Sequence, residues 1–121
     1  MAIAHDDMEK ILKNTGCRTI HKVKKVIEYM LPDTKIPFYM HVENNYPQLV
    51  ILPALEVFLD TLSEVNGVIT KPPYYHNADM VRFPKRLHEG EKEIHYGLAF
   101  EFDNNSSLQI FIHKLIEIVA R

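Results

Sequence analysis

The sequence predicts an α+β protein, an antiparallel sheet of three to four strands with three helices packed mainly on one face. Three observations carry that expectation. From Ile20 to Leu52 the apolar residues follow the strand period. From Ile94 to Phe102 they alternate without a miss. Three further stretches repeat apolar residues at helical spacing. With 121 residues, 46% of them apolar and 25% charged, the chain fits one domain, 1–121, with an ordinary core.

The elements follow in order. Asp6 or Asp7 is suited to cap a first helix ending near Asn14, with Met8, Ile11 and Leu12 on its inner face and Gly16 as its stop. A three-stranded meander comes next. Its first strand places Val23, Ile27, Tyr29 and Leu31 on one face and Lys24 and Glu28 on the other. Pro32-Asp33 turns the chain. "FYMHVE" then sets Phe38, Met40 and Val42 against Tyr39, His41 and Glu43, and Asn44-Asn45 makes a second turn. "QLVIL" is continuously apolar and reads as the most buried strand.

Pro53 opens a second helix with Leu55, Phe58, Leu59, Leu62 and Val65 inward, ended by Asn66-Gly67. After a polar connection, a fourth strand sets Ile94, Tyr96, Leu98, Phe100 and Phe102 against His95, Gly97, Ala99 and Glu101. "DNNSS" caps a last helix from Ser106 to about Val119, with Leu108, Phe111, Leu115 and Val119 inward.

Composition excludes several function classes. Net charge is −2, so no global field draws the chain to nucleic acid or an anionic membrane. Cys17 is the single cysteine, so neither an internal disulfide nor a cysteine metal cluster can form. The start "MAIAHDDMEK" lacks the basic and apolar regions of a secretory signal, and no apolar run reaches the roughly 18 residues of a membrane span. The expected setting is cytoplasmic, with no membrane partner. Glycine-rich phosphate loops are absent.

Function is expected in Tyr74 to Gly97, "YYHNADMVRFPKRLHEGEKEIHYG". Candidate ligand-binding residues are Tyr75, His76, Arg82, Lys85, Arg86, His95 and Tyr96. Cations interleaved with aromatics suit phosphate groups and protein interfaces. Two imidazoles suit acid–base chemistry on a phosphodiester, with arginine holding the developing charge. Against this, Glu89, Glu91 and Glu93 follow at once and balance the cations. His76, Asp79, His88 and His95 are spread too widely for a metal-ligand motif, so neither metal nor cofactor is expected. Cys17 reads as a small buried thiol. His95 shares its face with Gly97 and Ala99, which leaves room there for a ligand or for another part of the chain.

Ile51-Leu52-Pro53, Tyr75-His76, Phe83-Pro84, Gly90 and His95-Tyr96-Gly97 together resemble the small enterobacterial cytoplasmic proteins of the YgaC type, a domain family of unknown function. The chain departs from that pattern at Leu52, where the family pattern has a histidine, and at Ala99-Phe100-Glu101. The resemblance implies a cytoplasmic α+β protein with an antiparallel sheet, and no activity. The leading expectation is a binding module that contacts a protein or an anionic ligand through residues 74–96. The alternatives are a nucleic-acid-binding or phosphodiester-cleaving protein, an immunity- or antitoxin-like inhibitor, and a metal-dependent enzyme.

Overall fold

The computed structural model describes residues 3–23, 25–42, 46–71, 74–88 and 92–120. The first helix, α1, is His5–Asn14. It is followed by β1 Arg18–Lys22, β2 Val26–Met30, β3 Pro37–His41 and β4 Gln48–Ile51. A 3₁₀ turn, Pro53–Phe58, leads into the short α2, Leu59–Ser63. Then come β5 Val68–Thr70, β6 Tyr75–His76, β7 Lys85–His88, β8 Lys92–Phe102 and α3 Asn105–Val119.

The α+β class holds, but among the described residues the sheet has eight strands, not three or four. The described pairings are all antiparallel, in the order β1-β2-β3-β4-β8-β5, with β6 and β7 also on β8. Two features account for the undercount. The run expected as one strand from Val23 folds back between β1 and β2, where the Val23 amide donates to the Val26 carbonyl. The segment expected as a polar connection supplies β6 and β7, which pair along the long β8. The Asn44-Asn45 turn lies outside the described residues.

Smaller expectations also shift. Ala4 occupies the cap of α1, while Asp6 and Asp7 lie in its first turn, where carboxylates favour the helix dipole. Asn104 caps α3: its side chain accepts from the Ser107 amide at 2.8 Å, and the Ser107 hydroxyl completes a capping box. Gly16 and Gly67 take φ of +90° and +86°, the left-handed region that ends α1 and α2.

The sheet separates two cores. Phe38, Met40, Leu49, Leu98, Phe100 and Phe102 face the helices and pack with α1 and α3. On the opposite face a smaller core joins Val26, Tyr39, Val50 and Ala99 to Met80 and Phe83. Met80 is wholly buried and Phe83 is 3% exposed. No helix covers this second face among the described residues; the strap 77–84 does. That explains why Glu28, which alternation sets on the face opposite Ile27 and Tyr29, is only 4% exposed. Among the described residues no helix is long and apolar enough to cross a membrane.

Candidate functional site

The strap begins at β6. The Asn77 amide donates to the His95 carbonyl, which fixes β6 along the same edge of β8 as β5. Two turns follow, as the Met80 amide donates to the Asn77 carbonyl and the Phe83 amide to the Met80 carbonyl. The Tyr96 amide then donates to the Pro84 carbonyl. Successive residues of a strand send their backbone groups to opposite edges. Pro84 and β7 therefore lie along the other edge, on the side of β4. The strap crosses the second face from one edge of β8 to the other.

This crossing distributes the seven expected residues. In register, Tyr75 faces Gly97 and Lys85 faces His95, which places Tyr75, Lys85 and His95 on the second face. His76 faces Tyr96 and Arg86 faces Ile94, which places His76, Arg86 and Tyr96 on the helix face. Arg82 belongs to the strap. These side chains therefore form two clusters, back to back across β8. His76 and His95 stand on opposite faces and cannot act together on one phosphodiester.

Arg82 anchors the strap to the sheet. Its Nε donates to Glu28 Oε2 at 2.6 Å, and its backbone amide donates to the Tyr39 hydroxyl at 3.1 Å. That hydroxyl donates to Glu28 Oε1 at 2.9 Å. The carboxylate is thus held on both oxygens, as a buried charge requires. Burial is the main cause that raises the Tyr39 hydroxyl well above the ordinary tyrosine value. The hydrogen bond to Glu28 raises the Arg82 guanidinium. Glu28 and Tyr39 complete this anchor and are not among the residues that the sequence singles out. The available signal was "VIEYML", in which Val26 and Met30 share the face of Glu28 and mark it as covered.

His95 is likewise held by the strap. Its Nδ1 lies 2.6 Å from the Phe83 carbonyl. A carbonyl only accepts, so Nδ1 carries the proton. The space expected beside Gly97 is filled by the chain itself. A Cβ at Gly97 would stand 2.8 Å from the Phe83 ring, 2.8 Å from the Ile51 carbonyl and 2.6 Å from Val50 Cγ1. His41 joins the same face, with its ring 4.9 Å from that of Tyr75.

The helix-face cluster is cationic and aromatic. The Arg86 guanidinium lies 4.5 Å from the centre of the Tyr74 ring and 5.5 Å from that of Tyr96. Tyr74 stands edge-on to Tyr96 and donates to Glu56 at 2.9 Å. His76 stacks on Tyr96, with centroids 6.0 Å apart. Tyr75, His76 and Asn77 also border a pocket of about 420 Å³ with Lys25, Asp79 and Ile94.

Other candidates resolve simply. Burial pushes the Cys17 thiol up, away from the nucleophilic thiolate. Among the described residues no three His, Cys, Asp or Glu side chains gather as metal ligands. Compared with protein-family models, with curated proteins and with solved structures, the chain matches none.

Proposed function

We propose that this chain is a non-enzymatic binding module that meets a protein partner through the three-stranded ribbon β6-β8-β7. One observation carries the reading. Where the strap seals its own apolar residues, the ribbon beside it does the reverse. Lys85, Arg86, Leu87, Lys92 and Glu93 are all exposed, and Leu87 is 61% exposed. An apolar side chain flanked by charges, beside an arginine already ordered on two tyrosines, has the composition of an interface. Stacking on Tyr74 and Tyr96 restrains Arg86 before it binds, which lowers the entropy lost on contact.

The reading includes a bacterial cytoplasmic setting, supported by the single cysteine and by the YgaC-type resemblance. It narrows the expected contact residues. Arg82 is committed to Glu28, and Lys71 lies 3.7 Å from Glu101. Lys85, Arg86 and Lys92 therefore carry the cationic share of the ribbon. A photo-crosslinker placed at Lys92 in cells is expected to give a discrete protein adduct. The double variant Lys85→Glu, Arg86→Glu is expected to lose that adduct while unfolding at the same temperature as the parent. An adduct unchanged by the double variant removes the ribbon from the function.

The pocket at Lys25, Tyr75, His76 and Asn77 favours a second reading, a small anionic ligand. Titration with inorganic phosphate, followed by backbone amide shifts, tests it. Shifts centred on residues 75–77 that fade with added salt support it. A titration that leaves those amides unmoved excludes it.

A further inference from the structure

The register of β7 against β8 bears on how a partner would engage the ribbon, an inference that rests on the reading just given. Partners on the two strands run Lys85 with His95, Arg86 with Ile94, Leu87 with Glu93 and His88 with Lys92, without a bulge. The Tyr96 amide bonds the Pro84 carbonyl, so that pair is a hydrogen-bonded one. Such pairs alternate in an antiparallel ladder, so Arg86 and His88 direct their backbone groups at β8. Lys85 and Leu87 direct theirs away from it. The other edge of β8 obeys the same alternation: the His95 carbonyl points away from β7 and accepts from Asn77.

Among the described residues β7 pairs with β8 alone. Its outer edge therefore presents the amides and carbonyls of Lys85 and Leu87. Exposed edges are usually guarded by bulges, charges or brevity. The other edge strands are guarded: β1 shifts its register between Thr19 and His21, and β5 and β6 are cut to three and two residues. β7 is regular. Its Arg86 is drawn onto Tyr74 and Tyr96 on the helix face, and its Leu87 is uncovered.

We propose that β7 accepts an extended acidic segment of another protein as a further strand, with the Lys85 and Leu87 backbone as the ladder. Charge complementarity selects the occupant. The strand supplies Lys85 and Arg86 and no carboxylate, so acidic residues suit positions beside them and an apolar residue suits the position beside Leu87. A second copy of the chain would set Lys85 and Arg86 near their own counterparts, where like charges oppose pairing.

A synthetic octapeptide with Val-Glu-Glu-Val at its centre, which offers Glu to Lys85 and Arg86 and Val to Leu87 in either strand direction, serves as the probe, read by fluorescence anisotropy and by amide hydrogen exchange. Binding is expected to slow exchange at Lys85 and Leu87. Leu87→Pro removes an outward amide without touching the β8 ladder. It is expected to weaken binding by about tenfold or more, the worth of one backbone hydrogen bond. Leu87→Ala, which keeps the amide, separates the loss of the side chain from the loss of the bond and is expected to bind more tightly than Leu87→Pro. Equal binding by the two variants, or unchanged exchange at Lys85 and Leu87 in the presence of peptide, overturns strand addition. So does the same protection produced by inorganic phosphate, or by raising protein concentration without peptide. The cellular adduct at Lys92 separates the two proposals. If Leu87→Pro retains it and the charge-reversed variant loses it, the ribbon is a contact surface that works through side chains alone.

Discussion

Tyr39 shows how one hydroxyl joins two parts of the fold. It donates to Glu28 Oε1 and accepts the Arg82 amide, so it ties a strand carboxylate to the strap. The ring is wholly buried and packs edge-on against Phe83 at 4.8 Å. Tyr39→Phe keeps that ring contact and removes only the oxygen. It leaves the Arg82 amide without its acceptor and Glu28 Oε1 without its donor. An unsatisfied buried polar group costs about 1–3 kcal/mol, and that loss is the expected fall in unfolding free energy by urea titration. A variant as stable as the parent would mean that water replaces the hydroxyl at no cost. The sequence showed Arg82 as a cation but gave no sign of its partner, since Glu28 lies 54 residues away. Pairing over that span is set by the path of the strap, which leaves no period in the sequence.

Gly97 is the corresponding point at the scale of elements, where β4, β8 and the strap meet. Its backbone is not in the left-handed region, so alanine brings no dihedral strain there. The difficulty is space. The new Cβ would meet the Ile51 carbonyl, which belongs to the β4 end and cannot rotate away. Overpacking of this kind costs typically about 1–3 kcal/mol. Gly97→Ala is expected to unfold at lower denaturant, and Phe83→Leu in the same chain is expected to restore only part of the loss. Full rescue by Phe83→Leu would show that the ring alone sets the limit. What the sequence revealed at this scale follows from periodicity. β8 was legible because alternation over Ile94 to Phe102 is long, and β3 and β4 because their apolar patterns are bounded by turn residues. The β1–β2 reversal was not, because Val23 to Lys25 carries no glycine, proline or asparagine. β5, β6 and β7 span three, two and four residues and are stabilised by pairing with β8, so no local pattern announces them. The candidate site was legible as a segment. The alternation of β8 already set His95 and Tyr96 on opposite faces, but the faces of Tyr75, His76, Lys85 and Arg86 were not legible, since they depend on register with β8.

At the scale of the whole molecule, both cores contain acidic hydrogens that the fold protects. Cys17 and Tyr29 lie in the core beneath the helices, and Tyr39 lies beneath the strap. Burial is the largest cause that raises all three, with Tyr29 pushed up to about 12 from its ordinary 10.0. The sign follows from linkage. When folded values are raised, the unfolded chain gives up its protons first, so it binds fewer protons than the native state above the ordinary value. Stability is then full below that value and falls as pH climbs through the window. For Cys17 the window opens at 9.0, and for the two tyrosines at 10.0. Each such group removes about 1.4 kcal/mol per pH unit within its window. The melting temperature is therefore expected to start falling near pH 9 and to fall more steeply above pH 10. Tyr39→Phe starts from a lower stability at neutral pH but lacks one of the titrating groups. Its curve must be flatter above pH 10, and the gap to the parent must narrow there. Thermal melts of both proteins across that range decide the matter. Parallel curves would mean that Tyr39 ionises as easily in the fold as outside it, and that the strap does not seal the second core.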